Sequence, residues 1–213
     1  MIASSFTADD ASHPSPVWVE SMGGPLIAVP VSALAAWGGC TESGVMAGDA
    51  TAPDDYDRAC AVDDLAGVIP VGENGTQALV LADEPATSCY LPQHRAFLRW
   101  LAAETEAGLS AAADTVLADP ATVWEECGTW VSDGPAVLMD SAEAGSDLGI
   151  EYPDGGIPAE ASVPLPAGRW RVRATHTKVD QENWVGLVQL LPTASCTAAG
   201  TANRRRQGCA DGR

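Results

Sequence analysis

The sequence predicts an α+β fold: a largely antiparallel sheet with two helices packed on one face. Three observations carry the prediction. Apolar runs of strand length come first and last, with a helical stretch between them. Asn74-Gly75 separates two apolar runs, the strongest short-range hairpin signal. Residues 169–174 alternate Trp170, Val172 and Ala174 with Arg169, Arg171 and Arg173, the pattern of a half-buried strand with one basic face.

The elements follow in order. Residues 1–16, rich in Ser, Ala, Asp and Pro, read as a disordered arm. Order begins at Val17-Trp18-Val19-Glu20, and Gly23-Gly24-Pro25 marks a turn. Leu26–Val31 is a strand with Pro30 near its edge or end. Ser32 is placed to cap a short helix that closes at Gly38-Gly39. After a loop over 41–55, Gly67–Val71 and Gln77–Ala82 form the hairpin. A helix is expected from Pro92 to about Glu106, with Phe97, Leu98, Trp100 and Leu101 as its apolar face. A second runs from about Leu109 to Ala118, stopped by Asp119-Pro120. Strands return at Thr122–Trp130, Ala136–Asp140, Gly168–Thr177 and Trp184–Leu191, with a short one near Leu148–Ile150. Residues 193–213 read as a disordered tail, leaving a single domain over 17–192.

The 213 residues carry a net charge of −18, unevenly spread. Residues 1–168 hold 26 acids against three arginines, and residues 169–213 hold eight bases against three acids. Such an acidic body repels nucleic acid and anionic membrane and favours a basic protein partner. It also serves solubility alone. No stretch approaches 18 apolar residues, and the N-terminus lacks the basic and apolar regions of a secretory signal, so a cytoplasmic protein is expected. Cys40, Cys60, Cys89, Cys127, Cys196 and Cys209 have no close spacing, and free thiols are the expectation.

Catalytic motifs are absent from the sequence. There is no GxxxxGK[ST], no GxGxxG after a strand and no GxSxG. Of the three histidines, His13 falls in the arm and His94 in the first turn of the expected helix. His176, on the basic strand, would need Cys89 or Cys127 beside it to activate a thiol. Paired acids such as Asp54-Asp55 and Asp63-Asp64 suggest solvated surface more than a metal site, because neighbours on a strand point to opposite faces. No cofactor and no metal are expected. Arg169, Arg171 and Arg173 are expected to pair with acids across the sheet, and Arg204-Arg205-Arg206 to sit on a solvated tail.

One set of residues carries a resemblance. Trp18-Val19-Glu20-Ser21-Met22-Gly23-Gly24-Pro25-Leu26-Ile27, then Trp37-Gly38-Gly39 and Asp55-Tyr56-Asp57-Arg58-Ala59-Cys60, resemble the immunity protein 21 family of bacterial polymorphic toxin systems. Trp124-Glu125-Glu126 and Gly168–Arg173 continue it, so that it covers about 17–192. The resemblance implies a non-enzymatic cytoplasmic antidote that binds a cognate toxin, with no catalytic residues. The motif residues singled out are Trp18, Glu20, Gly23, Gly24, Pro25, Trp37 and Gly38. From charge alone, the partner-binding candidates are Asp54, Asp55, Asp57, Asp63, Asp64, Asp83, Glu84, Glu125 and Glu126, which would suit a nuclease toxin with a basic cleft. Two other readings stand beside it: a general interaction module for a basic partner, and a metal- or Cys-dependent hydrolase.

Overall fold

In a computed structural model, residues 15–48 and 52–193 are described. The expected arm and tail, with His13, Cys196, Cys209 and Arg204–Arg206, lie almost wholly outside them. Short apolar strands bounded by Gly, Pro and Asp turns cannot cover both faces of one sheet, and the chain resolves this by building two. The strands are β1 (Trp18–Val19), β2 (Leu26–Pro30), β3 (Gly67–Val71), β4 (Thr76–Leu81), β5 (Ser88–Leu91), β6 (Ala96–Ala102), β7 (Glu125–Ser132), β8 (Ala136–Asp140), β9 (Glu160–Val163), β10 (Gly168–Lys178) and β11 (Trp184–Pro192). The first sheet runs β1-β5-β6-β11-β10-β7 and the second β3-β4-β2-β8-β9, every pair antiparallel.

Both sheets bury one face against the other. Leu26, Ala28, Leu79, Leu81 and Leu138 of the second sheet meet Phe97, Trp130, Val172, Val188 and Leu190 of the first. The outer face of the first sheet is covered by helix α2 (Glu106–Ala118), which buries Leu109, Ala112, Ala113 and Val116 at helical spacing against Leu98, Val185 and Leu187. Thr105 caps it by accepting from the Gly108 amide at 3.1 Å. The outer face of the second sheet is covered by helix α1 (Asp55–Cys60) and a 3-10 helix (Val31–Ala36), around Trp37, Ile27, Val29 and Val80.

The α+β, antiparallel reading holds, as do the Asn74-Gly75 hairpin and the stop of α2 at Asp119. The arrangement departs from expectation in three ways. Two sheets replace one, and the helices lie on opposite outer faces rather than sharing a face. The stretch from Pro92 to Glu106 is no helix: it is a hairpin turn followed by strand β6. Because β6 is central and buried on both sides, with Phe97 inward and Leu98 and Trp100 outward, its apolar run lacks alternation and imitates a helical face. Pro92 serves the turn instead, where His94 N donates to Leu91 O and Arg95 takes a φ of 46°. Ser32 does not cap its helix; its hydroxyl lies 2.7 Å from Asp133 Oδ2. Residues 148–150 form a turn, while β5 and β9 are strands that the sequence pattern did not reveal.

Phe97 is fully buried between the sheets. Phe97→Ala should cost roughly 3–5 kcal/mol of unfolding free energy through lost transfer energy and a residual cavity. Urea unfolding of the variant checks this, and a loss below about 1 kcal/mol would contradict the central placement of β6.

Candidate functional site

The nine candidate acids divide into two groups. Asp54, Asp55 and Asp57 belong to α1 and are occupied inside the chain. Asp54 and Asp57 form a reciprocal capping box: the Asp57 amide donates to Asp54 Oδ1 at 2.8 Å, and the Asp54 amide to Asp57 Oδ2 at 2.9 Å. Asp54 also accepts from the Thr41 amide at 2.7 Å. Asp57, only 8 % exposed, takes the amides of Val45 (2.7 Å) and Met46 (2.8 Å). These backbone hydrogen bonds, that from Val45 foremost, hold its carboxyl below the usual 3.8. Asp55 accepts from the Gly38 amide at 2.7 Å and pairs with Arg58. The D-x-x-D spacing of Asp54 and Asp57 is the sequence signal for this six-residue helix.

Of the motif residues, Gly24, Pro25, Trp37 and Gly38 meet at the same corner. A Cβ on Gly24 would stand 2.6 Å from Tyr56 Cε2 and 2.7 Å from its hydroxyl, so the Gly23-Gly24 turn lies directly on the α1 ring. Pro25 O accepts from Ser141 N at 3.2 Å, and Trp37 Nε1 donates to Ser141 O at 3.2 Å. Trp18 packs edge-on against Trp100 at 5.3 Å. Glu20 is exposed. Apart from Glu20, these motif positions are used to build the fold.

The remaining acids, Asp63, Asp64, Asp83, Glu84, Glu125 and Glu126, are exposed. Asp63 and Asp83 line one depression of about 360 Å³ with Tyr56 and Cys60. Asp64, Glu125 and Glu126 all lie near enough to the Cys127 thiol to bear on it electrostatically. Glu126 pairs with Arg171 at 3.2 Å, the cross-strand pairing expected of the basic face. Arg173 instead stacks 4.1 Å over Trp124 and donates to Gln189 Oε1.

Asp83 and Glu84 surround a buried cation. Arg99 on β6 is 1 % exposed, and its guanidinium donates to the carbonyls of Ala82 and Glu84 in the loop leaving β4. Burial lowers it to about 10, partly opposed by Asp83 and Glu84, so it stays charged at neutral pH. Beside it, His176 Nε2 stands 3.4 Å from Arg99 Nη1, while Nδ1 stands 3.2 Å from Asp83 Oδ2. A guanidinium only donates and a carboxylate only accepts, so these neighbours select the tautomer with the proton on Nδ1. A second proton would have to point at Arg99. Burial and that charge hold the imidazole below its usual 6.5, against the opposing pull of Asp83 and Glu84. Asp83 itself sits at a φ of 67°. This cluster fixes the β4–β5 crossing between the sheets against β6 and β10, a role invisible in the sequence because its members lie far apart along it.

Cys40, Cys60, Cys89 and Cys127 are free, as expected. Cys89 is buried in the α2 core and burial pushes it up to about 12; Cys127 is buried and raised as well. Neither is a ready thiolate nucleophile. Among the described residues no group of three or more His, Cys, Asp or Glu converges as a metal site, and no helix is long and apolar enough to cross a membrane.

Two outcomes are expected. Gly24→Ala should cost about 1–3 kcal/mol, because a methyl there displaces the Tyr56 ring; thermal unfolding tests it, and a wild-type midpoint would show that the ring moves freely. For His176 the sign follows from its lowered folded value. The unfolded chain binds a proton near 6.5, the folded one less readily, so stability is full above that pH and declines below it. Unfolding between about pH 7 and about pH 5 should show a shallower decline in His176→Gln than in wild type. Parallel curves would remove the imidazole from the account.

Comparison with known proteins adds family membership to this geometry. Searches of curated proteins and of solved structures return no match. A family model described as immunity protein 21 matches residues 17–183, from the start of β1 to the turn before β11. The match takes in every strand but β11, with the α1 corner and the Arg99–His176 cluster, and the chain therefore belongs to the immunity protein 21 family.

Proposed function

We propose that this chain is a non-enzymatic antidote that binds a cognate bacterial toxin in the cytoplasm of the producing cell and blocks it, with a nuclease as the toxin class its charge fits best. The family match over residues 17–183 carries the reading. The division of the acids supports the mode of binding. Asp54, Asp55 and Asp57 are engaged in folding, and Asp83 and Glu84 neighbour the buried Arg99, whereas Asp63, Asp64 and Glu125 stand exposed with no salt bridge among the described residues. Carboxylates held on a firm surface can occupy a phosphate-binding cleft. The buried, raised thiols of Cys89 and Cys127 weigh against the hydrolase reading.

The test is rescue. The neighbouring toxin gene is expressed under tight control in a sensitive host, with and without this chain. Restored growth and co-purification are expected; continued killing would refute the antidote role. With the purified pair, raising salt from about 0.05 to about 0.5 M should slow association by roughly tenfold or more. A flat salt dependence would refute the electrostatic mode and leave the antidote role standing.

A further inference from the structure

We infer that the toxin docks on the face around His176, where Trp184 and Val123 stand exposed beside two adjoining depressions, and that the docking element is a basic protein surface carrying an apolar anchor. The inference rests on the antidote reading above. One depression, of about 420 Å³, is lined by Trp184, Lys178, Ala102 and His176. The other, of about 430 Å³, is lined by Val123, Leu65, Thr175 and the same His176.

Three observations converge here. The first is apolar exposure. Trp184 is 45 % exposed and Val123 81 % exposed. The other six tryptophans are buried or half-buried in the fold. A tryptophan left in water beside a depression is the residue type that dominates binding energy at protein interfaces. The second is charge. Asp119 and Glu125 line one depression and Glu182 the other, with Asp83 and Glu84 adjoining His176; Lys178 lines the Glu182 depression as a cation, and the charge of Arg99 is buried behind His176. Such a rim attracts a lysine- or arginine-rich partner and rejects an acidic one.

The third is firmness. Asp180 holds the turn before Trp184, accepting from the amides of Glu182 (2.8 Å) and Asn183 (2.7 Å) and from the Asn183 side chain. Under the floor, Gly186 lets β11 close on the cluster: a Cβ there would stand 3.0 Å from Arg99 Cβ and 3.2 Å from the His176 ring. A surface held this way loses little freedom on binding. Met46 is exposed as well, in the depression that it shares with Asp63 and Asp83, and serves as the comparison surface.

The toxin neutralised in the rescue experiment serves as the probe, with affinities measured by calorimetry on the full chain. Trp184→Ala and, separately, Glu125→Lys are first shown to unfold at the wild-type temperature. Each is expected to weaken binding at least tenfold, with Met46→Ala within about twofold of wild type. If both variants bind like wild type while Met46→Ala is weakened, or if none changes, the docking face is overturned although the antidote role survives. If Trp184→Ala fails to fold, Val123→Asp takes its place under the same criterion. If wild type itself neither binds nor rescues, the antidote reading falls and the inference with it.

Discussion

Arg99 is the constraint on which this architecture turns. Taking a guanidinium out of water costs several kcal/mol and is tolerated only where donors find acceptors and the charge finds a counter-field. Here the acceptors are the carbonyls of Ala82 and Glu84 in the loop leaving β4, and the counter-field comes from Asp83 and Glu84. Because Arg99 stands on β6 of the first sheet and the loop carries the chain from β4 of the second sheet to β5 of the first, its contacts fix the crossing between the two sheets. They also fix the neighbourhood. His176 must take the tautomer that Arg99 and Asp83 permit, and Asp83 is held in a left-handed conformation that few non-glycine residues adopt.

The acidity of the chain has two structural meanings. Around α1, carboxylates replace missing backbone partners: they cap the helix and gather the amides of Gly38, Thr41, Val45 and Met46 into a loop that has little apolar content to hold it. On the Arg99 side Asp83 and Glu84 offset a buried charge while their side chains stay exposed to solvent. Net charge alone does not separate these uses. The separation depends on which acids face orphan amides, a property of three-dimensional placement.

Much of the secondary structure was legible because its signals are local. Asn74-Gly75 requires a particular turn, Asp119-Pro120 cannot continue a helix, and β10 exposes one face and so alternates. The family resemblance was legible too, because its residues are those that build the Gly24–Tyr56 and Trp37–Ser141 contacts. What stayed hidden was non-local. Strand β6 is buried on both faces and loses the period that identifies strands, and β5 and β9 are only four residues each. Of the site, the candidate acids were named but their division was not. Trp184 read simply as the start of a strand, since nothing local says that the sheet will leave it uncovered.

The position of β11 bears on how this protein is made. It is the last described strand, yet it lies between β6 and β10, pairing from Trp184 to Gln189 with the first and from Trp184 to Pro192 with the second. A nascent chain that has not yet emerged past Trp184 therefore carries two half-sheets without their shared partner. Closure joins residues nearly ninety positions apart, between Leu98 and Leu187, and non-local pairing of this kind is slow. Completion of the first sheet consequently waits on β11, and the half-sheets awaiting it are the stage at which the molecule is most open to strand exchange and proteolysis.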